Sequence, residues 1–169
     1  MKCSICDRDH EVLDLEPIFH RPQAYVELSE TDRQGLAMAN DDLCMIADKQ
    51  PPEIRFFVRG LLDVEVRDLP RSVAWGIWVE LERADYQKVL DLWDDPNQMD
   101  QPPMKARLAN QIPRYENTVG MSVELHLTGP KTRPKISIPL KSSHPFAREC
   151  LEGVVAHRVI EWLEAMGVT

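Results

Sequence analysis

Long hydrophobic runs are missing from this sequence. Nowhere do the roughly 20 consecutive apolar residues of a membrane-spanning helix occur. After Met1-Lys2 the chain continues Cys, Ser, Ile, Cys, Asp, Arg, Asp, without the apolar core of a signal peptide. The expectation is a cytoplasmic protein. Positive charge is scarce as well: 20 Lys and Arg stand against 28 Asp and Glu, a net charge of −8. That balance argues against nucleic acid or an anionic membrane as partner and favours a basic protein. Phosphate-binding loops (GxxxxGKS/T), dinucleotide fingerprints (GxGxxG) and nucleophile elbows (GxSxG) are all absent. His10-Glu11 begins a zinc-protease HExxH only in appearance, because position 14 is Asp14. Internal repeats and low-complexity segments are absent too.

What is present suits one globular unit. At 169 residues, 43 % of them hydrophobic, the chain can bury a core of its own. Residues 1–40 read as an N-terminal CxxC knuckle with a connecting segment, and 41–169 as an α+β domain, the two making one structural unit. Ser29 before Glu30-Thr31-Asp32 predicts a capped short helix ending near Gly35. Leu43–Ala47, Ile54–Arg59, Leu62–Val66 and Ala74–Leu81 read as strands, with Gly60 as a bulge. Tyr86, Val89, Leu90 and Trp93 follow the i, i+3, i+4, i+7 spacing of one helix face, which Pro96 ends. Pro102-Pro103 reads as the start of a short helix through Leu108. Val119 to Leu127 alternates cleanly and, across Gly129-Pro130, predicts a hairpin with Ile136, Ile138 and Leu140. His144 to Gly167 reads as helix broken near Gly153. The fold class is α+β: an antiparallel sheet of about five strands with helices packed on one side.

Four places carry chemistry. Cys3 and Cys6 stand two apart, a spacing that lets one tight turn present both thiolates to a tetrahedral zinc. His10 and Cys44 would complete a closed, structural set, with His20 as a substitute for either. The other reading is a metal-free knuckle with Cys44 as a small buried apolar residue. A thioredoxin-like motif lacks the βαβ pattern that should follow it. Cys44 as a nucleophile, served by His126 or His144, is disfavoured because Asp41, Asp42 and Asp48 would raise its pKa.

Second, Arg59 with Trp75, Trp78 and Asp42 is a candidate ligand site. Alternation should leave Arg59 and one tryptophan on a common face, and an arginine beside an aromatic suits a carboxylate, a phosphate or a peptide. The alternative is a core tryptophan with Arg59 paired across the sheet. Third, Glu80 to Asp100 holds seven carboxylates against Arg83 and Lys88. Asp91, Asp94 and Asp95 there are candidates for docking a basic protein, the alternative being a solvated helix face. Fourth, Lys131, Arg133, Lys135 and Lys141 give a smaller basic counterpart, too few for nucleic acid.

Landmarks spread along the chain resemble a bacterial family known as domain of unknown function 2199 (DUF2199). They are Cys3-x-x-Cys6 with His10, Asn40-Asp41-Asp42-Leu43-Cys44, Phe57-Val58-Arg59-Gly60, Trp75-Gly76-Ile77-Trp78-Val79, Leu92-Trp93, Arg133-Pro134-Lys135-Ile136, His144-Pro145-Phe146-Ala147 and Glu152-Gly153. The pattern departs at Asp7, where glycine usually follows the second knuckle cysteine. It departs again at Met104–Leu108, where an aromatic-Gly-Trp is usual. The resemblance implies no activity. The function expected from the residues is a zinc-stabilised, non-enzymatic, protein-binding domain, acting in the manner of an immunity protein against a basic toxin; the alternative is a small hydrolase using the metal or Cys44.

Overall fold

The computed structural model describes residues 5–7, 16–49 and 53–168. Seven strands form one sheet in chain order: β1 (Ala37–Ala39), β2 (Leu43–Ala47), β3 (Ile54–Val66), β4 (Arg71–Leu81), β5 (Met104–Leu108), β6 (Ser122–His126) and β7 (Lys135–Ser137). Each pairs antiparallel with the next. β7 then returns to β3 in parallel through Leu61 and Lys135, closing β3 to β7 into a five-stranded barrel from which β2 and β1 extend.

Alternation builds the interior. Phe56, Val58, Leu62, Val64 and Val66 from β3 join Val73, Trp75, Ile77, Val79 and Leu81 from β4 in one buried cluster. Met104, Ala106 and Leu108 of β5, with Val123, Leu125 and Ile136 from the last two strands, complete the ring of apolar side chains. The helices α4 (Pro145–Glu152) and α5 (Ala156–Ala165) add Phe146 and Trp162, whose rings sit 5.7 and 5.1 Å from that of Trp75. Burying three such aromatic rings is among the largest single hydrophobic gains a small core can make.

Three expectations change. The sheet has seven strands rather than about five, and it closes on itself, so no single side is left for helices to cover. Short α1 (Gln23–Val26) places Ala24 against the outer face of the barrel. The helix α3 (Arg83–Asp91) instead sets Tyr86 4.8 Å from Phe56, while α4 and α5 meet the inner cluster. Second, Gly60 is no bulge. The β3–β4 register runs without interruption from Phe56↔Leu81 to Val66↔Arg71. Glycine stands there because β7 passes close by. Third, Met104–Leu108 is a strand, not a helix: Met104, Ala106 and Leu108 are buried while Lys105 and Arg107 are exposed.

Other expectations hold. The helix α2 (Glu30–Leu36) is capped by Ser29, whose Oγ accepts from the Asp32 N–H at 3.1 Å. The β6–β7 hairpin is present, although β7 ends at Ser137 and leaves Leu140 exposed, and the terminal helix divides at Gly153. A boundary at residue 40 would fall inside the β1–β2 hairpin, whose turn is held by Asn40 Oδ1 accepting from the Asp42 and Leu43 N–H groups, each at 2.8 Å. Among the described residues no helix is long and apolar enough to cross a membrane.

Candidate functional site

The outer faces of β3 and β4 carry a second, smaller cluster. Cys44, Ile46, Phe57, Trp78 and Ala109 pack there beneath Phe19, Ala24, Tyr25 and Leu28. The segment leading to α1 is sewn on by backbone bonds: Phe19 N–H donates to Gly76 O (2.8 Å) and Gly76 N–H to Pro17 O (2.9 Å). The Trp78 indole N–H donates to Phe19 O at 3.0 Å. Asn110 clamps the same place, accepting from Trp78 N–H through Oδ1 (2.8 Å) and donating through Nδ2 to Arg21 O (3.0 Å). These contacts set where Arg21 and the 17–23 segment lie over the sheet.

Arg59 is the cross-strand partner of Trp78 in this face. The structure thus puts Arg59 and one tryptophan on a common face. Trp75 lies on the other face, inside the barrel, with its indole N–H lacking a hydrogen-bond partner among the described residues. Both indoles are fully buried, Trp78 with its N–H committed to Phe19.

The guanidinium of Arg59 is unusual. Arg59 is only 6 % exposed, yet among the described residues no carboxylate pairs with it and Nε has no hydrogen-bond partner. Among the described residues its one side-chain hydrogen bond is long: Nη1 donates to Asp41 O at 3.4 Å. The side chain lies over Gly76, where an added Cβ would come 3.3 Å from Nη2. Four charges surround it, Arg133 and Arg21 with Asp42 and Asp41. Burial, and after it the Arg133 charge, push its pKa below the usual arginine value, while Asp42 and Asp41 pull the other way. Neither aspartate is wholly available. Asp42 is paired with Arg133 at 2.8 Å, and Asp41 stands 3.9 Å from Arg21 with its side chain largely in solvent. The Asp42–Arg133 pair, together with Leu61, Trp93 and Lys131, lines a cleft of about 520 Å³ that Arg59 itself does not line.

The thiols tell a different story. Cys3 and His10 lie outside the described residues; Cys6 sits in a turn. Cys44 is 1 % exposed, and burial pushes its thiol up to about 11, partly opposed by the Arg21 charge. The rise is the one expected, but its cause is desolvation rather than the neighbouring aspartates. An apolar seat of this kind suits the neutral thiol of a cysteine that holds no metal. Among the described residues no three His, Cys, Asp or Glu side chains gather closely enough to hold a metal ion. His126 hydrogen-bonds Ser137 Oγ at 2.7 Å, and His144 caps α4, so each imidazole proposed as a base for Cys44 has another partner.

The acidic segment is exposed in a particular way. Its two cations are turned to local partners: Arg83 stacks 5.1 Å over the Phe56 ring, and Lys88 pairs with Asp85 at 3.2 Å. Asp91 and Asp94 face solvent, as do Leu90 and Met99, which are 38 % and 58 % exposed. Asp95 is a turn residue, its Oδ1 accepting from Asn97 N–H at 2.8 Å.

Arg21 was not among the residues the sequence marked. No local signal announces it, because a tryptophan and an asparagine far along the chain hold its backbone in place. Arg133 was marked only as one of a basic group; its pairing with Asp42 spans 91 positions.

A family model described as uncharacterized protein conserved in bacteria matches residues 2–154. No curated protein and no solved structure matches the chain.

Proposed function

The chain belongs to the DUF2199 family, whose description carries no activity, and from its geometry we propose a cytoplasmic, non-enzymatic domain that binds a basic protein through the acidic segment at α3, as an immunity protein engages a basic toxin. The observation that carries this reading is the disposition of charge there. Arg83 and Lys88 are drawn onto Phe56 and Asp85, so the negative charge of Asp91 and Asp94 stands unopposed by them in a segment that also exposes Leu90 and Met99. A segment that exposes both apolar side chains and charge of one sign has the composition of a docking surface, the apolar part supplying affinity and the charges the choice of partner. Cys44 and Cys150 are both buried, and burial raises both thiol pKa values, which supports a binder over a cysteine hydrolase.

The test is a double charge reversal, D91K with D94K. Asp95 is left intact because its carboxylate also holds a turn. A basic protein retained by the immobilised wild type at low salt, identified and repurified, should bind the variant at least about tenfold more weakly, with a shallower salt dependence. Equal affinity for both proteins removes this surface from the account.

A further inference from the structure

We infer that the cleft where β7 leaves β3 is a binding site for a small uncharged alcohol, its apolar body held in the cleft and its hydroxyl on Ser137. The site shares no residue with the acidic segment at α3 and rests on nothing proposed there.

The ring of strands is closed thinly on one flank. β3 meets β7 in a single pair, Leu61 with Lys135, and is next met by Val154 at Glu65 and Val66. Among the described residues no strand pairing covers that flank between these two points. The residues just past the bridge, Leu62 and Asp63 on β3 and Ile136 to Ile138 at the end of β7, instead wall a cleft of about 460 Å³ together with Cys150 and Leu151 of α4. Leu62, Ile136 and Ile138 belong to the buried core, so the cleft reaches the barrel interior. A gap of this size in the wall of a small barrel, mostly apolar with a few converging polar groups, is the usual setting of a small-molecule site.

The groups at the cleft select the ligand. Asp63 and Lys135 pair across the seam at 2.9 Å, so neither charge is left over. A carboxylate would compete with Asp63 and an ammonium with Lys135, each giving up hydration over an apolar floor. An uncharged body meets no such cost, and Leu62, Ile136, Ile138 and Leu151 offer it aliphatic surface. Of the two hydroxyls there, Thr128 is already bonded to Thr132 and to the Arg133 carbonyl. Ser137 Oγ lies 2.7 Å from His126 Nε2, with Glu124 3.9 Å from the same nitrogen. Whichever of the two donates, the serine keeps capacity: it still accepts if it gives its proton to the imidazole, and still donates if it receives one. A hydroxyl on the ligand answers either state, whereas a carbonyl or ether oxygen answers only the second.

The experiment is a set of NMR titrations with three probes of one shape: cyclohexanol, cyclohexanecarboxylate and cyclohexylammonium. The methyl groups of Leu62, Ile136, Ile138 and Leu151 report on the cleft. Cyclohexanol should shift them saturably, and the two ions at matched ionic strength should bind at least about tenfold more weakly. S137A removes the hydroxyl alone and should raise the cyclohexanol midpoint at least about threefold. L151F, at a half-buried wall, should abolish saturation by filling the cleft. Either ion binding as tightly as the alcohol overturns the ligand class. Shifts that stay linear to the solubility limit of cyclohexanol, that saturate only at other methyls, or that persist unchanged in L151F overturn the site. An unchanged midpoint in S137A overturns the role of the hydroxyl. The comparison of the three probes uses the wild-type protein, so it decides the inference even if a variant does not fold.

Discussion

A methyl group placed on Gly60 would lie 2.8 Å from both Cδ1 and Cγ1 of Ile136, and 3.0 Å from the carbonyl oxygen of Pro134. Leu61 N–H donates to that same carbonyl at 2.9 Å, so the glycine lies at the seam where β3 accepts β7. G60A should therefore strain the closure of the barrel at about 1–3 kcal/mol, lowering the melting temperature by several degrees. Gly35, in α2, has nothing within 4 Å of an added Cβ, so G35A should be neutral or stabilise by about 0.5–1 kcal/mol. Urea titration of the two variants beside the wild type checks both. Similar responses from the two would mean that the seam tolerates a side chain.

Cys44 makes stability depend on alkaline pH. Its thiol is held near 11 in the folded protein, against 9.0 for an exposed thiol. The unfolded chain thus ionises first. The contribution is fully present below about 9 and is lost as the pH climbs towards 11, a change on the order of 2 kcal/mol. C44A should lose less stability than the wild type across that interval. Tyrosines and Cys150 titrate in both proteins, so the difference isolates the one thiol. Parallel pH profiles would show that Cys44 is not desolvated.

Metal content bears on the same residue. The apolar seat of Cys44 leads to the expectation that it is no zinc ligand. Wild type and C44A, purified without chelator, should carry equal zinc by elemental analysis, whatever the amount. A ratio that falls only in C44A restores Cys44 to a set with Cys3, Cys6 and His10.

Tyr115 ties α4 to α5. Its hydroxyl donates to Glu149 and accepts from the Trp162 indole N–H at 2.9 Å. Burial, aided by the Glu149 carboxylate, raises its pKa. Y115F leaves the Trp162 N–H and the Glu149 oxygen without that partner and should cost about 1–3 kcal/mol in chemical denaturation. A loss smaller than about 0.5 kcal/mol would show that water replaces the hydroxyl at no penalty.

The strands with a strict two-residue period were legible in the sequence, as were the Ser29 cap and the break at Gly153. Met104–Leu108 has the same period. Pro102-Pro103 just before it suggested a helix start, a misreading corrected by tertiary burial of alternate side chains. Closure of the sheet was not legible, because alternation tells which residues share a face, never which strand lies beside which. The shared face of Arg59 and a tryptophan followed from alternation, but selecting Trp78 over Trp75 required the register, fixed by the β3–β4 turn. The isolation of Arg59 could not be read at all. It depends on where Asp42 and Asp41 direct their carboxylates, which is decided by Arg133 and Arg21 arriving from distant parts of the chain.

Among the seven strands described, every other pairing joins consecutive strands, but the parallel bridge joins residues 61 and 135. During synthesis the sheet can lengthen strand by strand as each emerges, yet the ring stays open until residue 135 has cleared the ribosome. Until then the part of β3 beyond Val58 has one flank unsealed, and the nascent domain is an open, curled ribbon, the stage at which a chaperone or a neighbouring chain would find a place to bind.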